Sequence, residues 1–230
     1  MAGLSVVIPA LEEASQLPLL LADLHRWPGA MELVVIDAAS RDPTVLTAQL
    51  GGARVLHTDQ RCRGSQLRLG VENSQGDWLL MLHADSRLST IWMDRVLAVI
   101  AQAGSEAAHQ AWTFDFRVDE RRPMLILLEW AVALRSRWLQ RPYGDQGLLI
   151  HRSLYNRVGG YQALPLMEDL DLIERISAVA SLHSLNTPLV TSARRWRRRG
   201  VLAQAWRNAM LRHRWRQGET PESLARTYRN

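Results

Sequence analysis

Short apolar runs alternate with amphipathic stretches along the first 90 residues. Leu4-Ser5-Val6-Val7-Ile8 has the pattern of a strand buried on both faces, ended by Pro9. From Glu12 to Arg26, Leu17, Leu20, Leu21 and Leu24 fall on one face of a predicted helix. Leu33-Val34-Val35-Ile36-Asp37 is a second strand. Asp42-Pro43 reads as a helix N-cap followed by proline at the first helical position. Ala53–His57 and Trp78–Leu82 are two further strands, separated by a helix over Gly64–Ser74 and a turn at Gly76-Asp77. This alternation predicts an α/β fold with a doubly wound, mostly parallel sheet flanked by helices.

The second half is less regular. Ala111–Val118 alternates around Trp112, Phe114 and Phe116, as an antiparallel strand would. Pro123–Trp138 is helix-like and strongly apolar, Gly147–His151 is strand-like, and Met167–Ala178 and Val201–Arg214 read as helices. No repeat or low-complexity linker interrupts the chain.

With 230 residues, 47% of them hydrophobic and 22% charged, the chain can bury a full core, which excludes disorder throughout. The single cysteine, Cys62, excludes an internal disulfide or a cysteine-rich zinc site. No apolar run reaches membrane-spanning length and Met1–Ala10 reads as a strand rather than a leader, so a cytoplasmic protein is expected. The charge is divided. Residues 194–230 hold 11 arginines and 2 acids, whereas the remainder holds 17 arginines and 21 acids. We therefore expect a body over 1–193 and a basic, Trp-bearing helical tail over 194–230, packed on the body or appended to it.

In open α/β sheets, ligands bind beyond the carboxyl ends of the strands. Three predicted strands end in chemistry-bearing groups there: Glu12 and Glu13 after the first, Asp37 at the second, and His83-Ala84-Asp85 after the fourth. Three such ends in one half of the chain favour a shared site.

These segments carry a resemblance. Ser5-Val6-Val7-Ile8-Pro9-Ala10-Leu11-Glu12-Glu13-Ala14, Val35-Ile36-Asp37-Ala38-Ala39-Ser40-Arg41-Asp42 and Leu82-His83-Ala84-Asp85-Ser86 resemble successive signatures of family 2 glycosyltransferases with the GT-A fold. Tyr143-Gly144-Asp145-Gln146-Gly147 and Gly159–Asp169 are similar to later blocks of that family. With Thr191–Trp196 they resemble a compact bacterial subgroup associated with arsenosugar biosynthesis.

The resemblance implies an inverting, metal-assisted transfer of a sugar from a nucleotide diphosphate, with a UDP-sugar favoured, to a small-molecule hydroxyl. Pro9, Ala10, Glu12 and Asp37 would hold the nucleoside, and Arg63 the diphosphate, with Gly64 allowing close backbone approach. Asp85 would bind Mg²⁺ or Mn²⁺. His83 replaces the first carboxylate of the family's Asp-x-Asp, and is either a ligand or a supporting residue. Asp169, or alternatively Glu168, would deprotonate the acceptor, although the pair also suits a helix start. Asp145 and Gln146 would line the acceptor or donor-sugar side, or stabilise their loop. Arg194, Arg195 and Trp196 would close over the diphosphate. Ala38-Ala39 stands where a glycine is frequent, which could stiffen the loop under the nucleoside.

Two other readings remain open. A nucleotidyltransferase on a similar fold would share nucleotide and metal, but the glycine-rich phosphate loop expected after Pro9 is missing. A non-catalytic module led by the tail would bind an anionic membrane surface or, less aptly, nucleic acid. The tail's third reading is docking on the body through Trp206, Met210 and Leu211.

Overall fold

The computed structural model describes residues 3–139 and 144–229; Tyr143 and the side chain of Arg195 lie outside the described residues. The first half runs β1 (Leu4–Ala10), α1 (Leu17–Leu24), β2 (Met31–Asp37), α2 (Thr44–Leu50), β3 (Arg54–His57), α3 (Arg63–Glu72) and β4 (Trp78–Met81). It continues with β5 (Ser86–Leu88), α4 (Trp92–Ala103), β6 (Gln110–Val118), α5 (Pro123–Leu139), β7 (Leu148–His151) and α6 (Arg152–Arg157). The last elements are α7 (Glu168–Ser177), β8 (Ser181–Thr191), α8 (Arg194–Arg199), α9 (Val201–Arg216) and α10 (Pro221–Arg229).

The strands form one sheet in the order β3-β2-β1-β4-β7-β6-β8-β5. Strands β1 to β4 are mutually parallel, whereas β7 runs antiparallel to β4. The expected antiparallel strand at 111–118 is β6. It pairs antiparallel with β7 only at Ala111 and Trp112, and parallel with β8 along most of its length. Successive residues of β1 and β2 feed opposite layers. Leu4, Val6, Ile8, Leu33 and Val35 pack with α1 and α4, whereas Val7, Val34 and Ile36 pack with α3 and α7. Burial on both faces is why these strands read as unbroken apolar runs.

Three boundaries differ from expectation. Pro9 does not end β1, which continues to Ala10 opposite Asp37. The pairing with β4 stops at Val7, so beyond it β1 has a strand neighbour on one side alone, where a residue without an N–H is tolerated. The helix expected from Glu12 starts only at Leu17. The N–H groups of Glu12, Glu13 and Ala14 are instead taken by Ser40 Oγ, Thr44 Oγ1 and Asp42 Oδ2. The helix after Asp42-Pro43 begins at Thr44, whose N–H Asp42 still accepts.

The tail folds as α8, α9 and α10. Leu211, Leu224 and Ala225 are buried, so docking holds for Leu211. It fails for Trp206, which is 73% exposed, and largely for Met210. Among the described residues, no helix is long and apolar enough to cross a membrane.

Candidate active site

Strand order reverses direction at β1, with β2 and β3 on one side and β4 on the other. This is the topological switch point at which such sheets bind ligands. A cavity of about 490 Å³ opens there, lined by Pro9 and Ala10 at the end of β1 and Glu12 beyond it, by His83 and Asp85 after β4, and by Arg63, Gln66 and Arg194. A second cavity of about 380 Å³ adjoins it and is lined by Asp145, Glu168 and Asp169. The two share Leu11, Arg63, Gln66 and His83, so they form one cleft.

Local backbone strain surrounds this cleft. Glu12, Ala39 and Met167 all adopt positive φ without being glycine, at 57°, 57° and 68°. Such conformations are costly and persist only where the surroundings enforce them. The Glu12 carboxylate accepts the Arg41 N–H at 2.8 Å, locking the loop after β1 to the loop after β2. Met167 precedes α7 in the left-handed region, and places three carboxylates, Glu168, Asp169 and Asp171, in the first turn. Acidic groups there are favoured by the helix dipole.

Arg63 heads α3 and faces this turn. Its Nε donates to Glu168 and its Nη2 donates to Asp169 Oδ2 at 2.5 Å. Both carboxylates are buried and raise the Arg63 pKa further. Burial pushes the Asp169 carboxyl up to about 7. The Arg63 charge opposes that rise, while Glu168 and Asp145 add to it. Tyr161, its own pKa raised by burial, lies with its hydroxyl 3.5 Å from Asp169 Oδ1. Gly64 is indispensable to this contact. A Cβ there would come within 2.1 Å of the Gln162 carbonyl, so α3 could not approach the loop before α7.

At the opposite end, Arg194 Nη2 donates to Glu13 at 2.8 Å and lies 3.6 Å from Asp85 Oδ2. The described residues hold no cluster of three or more His, Cys, Asp or Glu suited to a metal ion. A divalent cation at Asp85 would therefore draw most of its ligands from phosphate oxygens and water. That is a normal condition for Mg²⁺.

Several sequence-derived candidates lie elsewhere. Asp37 is 2% exposed and does not line the cleft. Its Oδ2 accepts the Ser40 N–H, while its Oδ1 is buried without a hydrogen-bond partner among the described residues. Gln146 is also buried. It accepts from Ser136 and donates to the Phe114 carbonyl, a bracing role between α5 and β6 rather than a place in the cleft. Trp196 packs against the cluster of Phe116, Val118, Leu125 and Val132, away from the diphosphate position expected for it. Cys62 donates to the Leu164 carbonyl.

The tail supplies residues that the sequence reading missed. Asn208, Leu211, Arg212 and Tyr228, from α9 and α10, wall the Asp169 end of the cleft. A signal was present: Gln204, Asn208 and Arg212 recur every four residues, a polar stripe on one helical face.

The sheet order, the switch-point cleft and its acidic rim define a GT-A glycosyltransferase fold. The chain belongs to glycosyl transferase family 2, whose model matches residues 5–164. A PGL/p-HBAD biosynthesis glycosyltransferase of Mycobacterium tuberculosis is 37% identical over 92 residues, which is 36% of each chain. A TPR repeat-containing protein of Synechococcus elongatus is 38% identical over 89 residues, 38% of this chain and 22% of its own length. The chain thus matches only about a fifth to a third of the length of these curated relatives. Among solved structures, the mannosyltransferase PcManGT from Pyrobaculum calidifontis, in complex with GDP-Man and Mn²⁺, is similar. Its TM-score is 0.68 at 18% identity, covering 91% of this chain and 61% of that one. S. aureus TarS gives a TM-score of 0.64 at 14% identity, covering 83% and 60%.

Proposed function

We propose that this chain is an inverting glycosyltransferase that moves a sugar from a nucleotide diphosphate to a hydroxyl acceptor, with Asp169 as the base. The observation that carries the reading is the single cleft joining the switch-point cavity to a buried carboxyl whose pKa lies at about 7. A carboxyl poised near neutrality accepts a proton from an acceptor oxygen far better than an ordinary aspartate does. Arg63 holds both carboxylates and both line the cleft; Asp169 is the better base because burial lifts its carboxyl to about 7 and the Tyr161 hydroxyl adjoins it.

The donor would lie at the switch-point end. Pro9, Ala10 and Glu12 would supply the wall against the nucleoside, with the buried Asp37 carboxylate behind them. Arg194 would neutralise diphosphate charge, a role that the Arg63 pairing with Glu168 and Asp169 makes less apt for Arg63. Asp85, with His83 beside it, would hold Mg²⁺ or Mn²⁺, which when bound supplies Lewis-acid stabilisation of the leaving diphosphate. The solved neighbour PcManGT holds GDP-Man with Mn²⁺, which supports a nucleotide-sugar donor. UDP is the first to test. An arsenic-bearing small molecule is the first acceptor to try, on the sequence resemblance alone.

The test is UDP binding by calorimetry with and without Mn²⁺, followed by product analysis. Metal-dependent UDP binding lost in Asp85→Ala, with release of nucleoside diphosphate on turnover, is expected. Release of pyrophosphate would mean nucleotidyl transfer and overturn the reading.

A further inference from the structure

Helix α9 is inside out. Its polar stripe, Gln204, Asn208 and Arg212, faces the protein, with Gln204 only 2% exposed and bonded to Asn208. Its apolar stripe, Leu202, Trp206 and Met210, is displaced by two residues, about 200° around the helix, and faces outward. Leu202 is 70% exposed and Trp206 is 73% exposed. Helix α5 lies alongside through Leu128 and Val201, which pack on one shared cluster. It too presents an apolar outer face, with Trp130 at 71%, Leu127 at 62% and Leu134 at 58% exposure. Isolated exposed leucines are ordinary; two adjoining helices with two outward tryptophans are not.

Apart from Glu120 beside them, the charge around these faces is positive. Between Arg121 and Leu139, and between Arg194 and Gly218, the only acidic residue is Glu129. It is buried and paired with Arg117. Arg121 and Arg122 are exposed just before α5 and Arg197 is exposed in α8; Arg122 and Arg197 share the Glu120 carboxylate, which leaves this group of cations net positive.

We propose that the outer faces of α5 and α9 dock the protein on an anionic lipid surface, with Trp130 and Trp206 at the headgroup level. The arrangement is apolar at its centre and arginine-bearing at its rim, which matches a bilayer interface in both layers of its chemistry. A second copy fits less well, because a two-fold contact would bring the same arginine rim against itself. Nucleic acid fits less well because the centre offers leucine and methionine where phosphates need donors. Helix α5 lies on the surface rather than across it: it has 17 residues and carries a charged pair at Glu129. Asn208 and Arg212 of the α9 stripe meanwhile line the cleft, so docking would hold the acceptor end close to the membrane. The docking proposal stands independently of the reaction.

The experiment is vesicle flotation of the full chain, with phosphatidylcholine alone and with phosphatidylglycerol added. Recovery only with phosphatidylglycerol is expected, weakened by salt and reduced at least tenfold in the double variant Trp130→Glu, Trp206→Glu. Circular dichroism and the thermal midpoint of that variant report whether it is folded. Both side chains are exposed, so little change is expected. Equal recovery of the folded variant and the wild type would overturn the proposal, as would no recovery of the wild type. A dimer in sedimentation velocity that the variant abolishes would also overturn it, in favour of a second copy.

Discussion

Arg63 donates to Asp169 Oδ2 at 2.5 Å, so the residue expected to bind diphosphate instead holds the candidate base. The cation lowers the pKa of Asp169 while burial raises it, and the balance falls at about 7. The base works only when ionised. The log of kcat/KM should therefore rise with pH and level off above a midpoint near 7. In Arg63→Met the opposing charge is gone, so the Asp169 pKa rises and the midpoint moves to higher pH. A pH–rate series on both proteins checks this; an unmoved midpoint would separate Arg63 from the base.

The same shift has a sign in stability. Asp169 titrates near 3.8 when unfolded and at about 7 when folded, so between these values the folded state binds the extra proton. Stability should therefore fall as pH rises through that window and be flat for this group outside it. Asp169→Asn should remove this contribution, read as a smaller loss of urea midpoint between pH 4 and 7. The variant should also lower turnover by about 10²–10⁴-fold while keeping UDP affinity, as loss of a general base does.

Arg194 lies 3.6 Å from Asp85, where a metal would compete with it. Arg194→Ala should tighten Mn²⁺ binding to the free protein, measured by electron paramagnetic resonance, and weaken UDP binding. Unchanged affinity for both would remove Arg194 from the donor site.

Ala39 has φ of 57°, a left-handed conformation that costs a residue with a Cβ about 1–2 kcal/mol. Ala39→Gly should stabilise the protein by up to about 1 kcal/mol, since glycine also gains freedom when unfolded. Equilibrium urea unfolding reads the change. No gain would mean that the loop has already relaxed around the alanine.

Gly64→Ala should act in the opposite direction. Its Cβ would fall 2.1 Å from the Gln162 carbonyl, forcing α3 away from the loop before α7. A loss of about 1–3 kcal/mol in urea unfolding is expected. The pH midpoint of catalysis should move with it, because the same displacement loosens Arg63 from Asp169.

Much of the first half was legible as sequence because its constraints are local. β1 and β2 are buried on both faces, so each shows as a continuous apolar run, and their order with α1 and α3 implies the parallel sheet. The carboxyl ends of β1 and β4 gave Pro9, Ala10, Glu12, His83 and Asp85, all of which line the cleft. Strand β8 was invisible. Its eleven residues mix Ser, His, Asn, Thr and Pro among the apolar positions, and β6 beside it decides their pairing. For Gln146 the structure favours the stabilising alternative over a place in the cleft, and Trp196 packs on the β6–α5 cluster, because motif position gives the residue whereas the direction of its side chain depends on β6 and α5.

The sequence by itself determined the α/β class and the strand ends that form the site, because hydrophobic period and chain order act over a few residues at a time; its motifs carried the family resemblance. Tertiary structure alone decided that Arg63 clamps Asp169 across 106 positions, that Asp37 lies behind the cleft, and that α9 turns its polar stripe inward. An amphipathic helix states only that it has two faces. Which one meets the protein depends on what the protein offers it, and here the body offers a polar cleft.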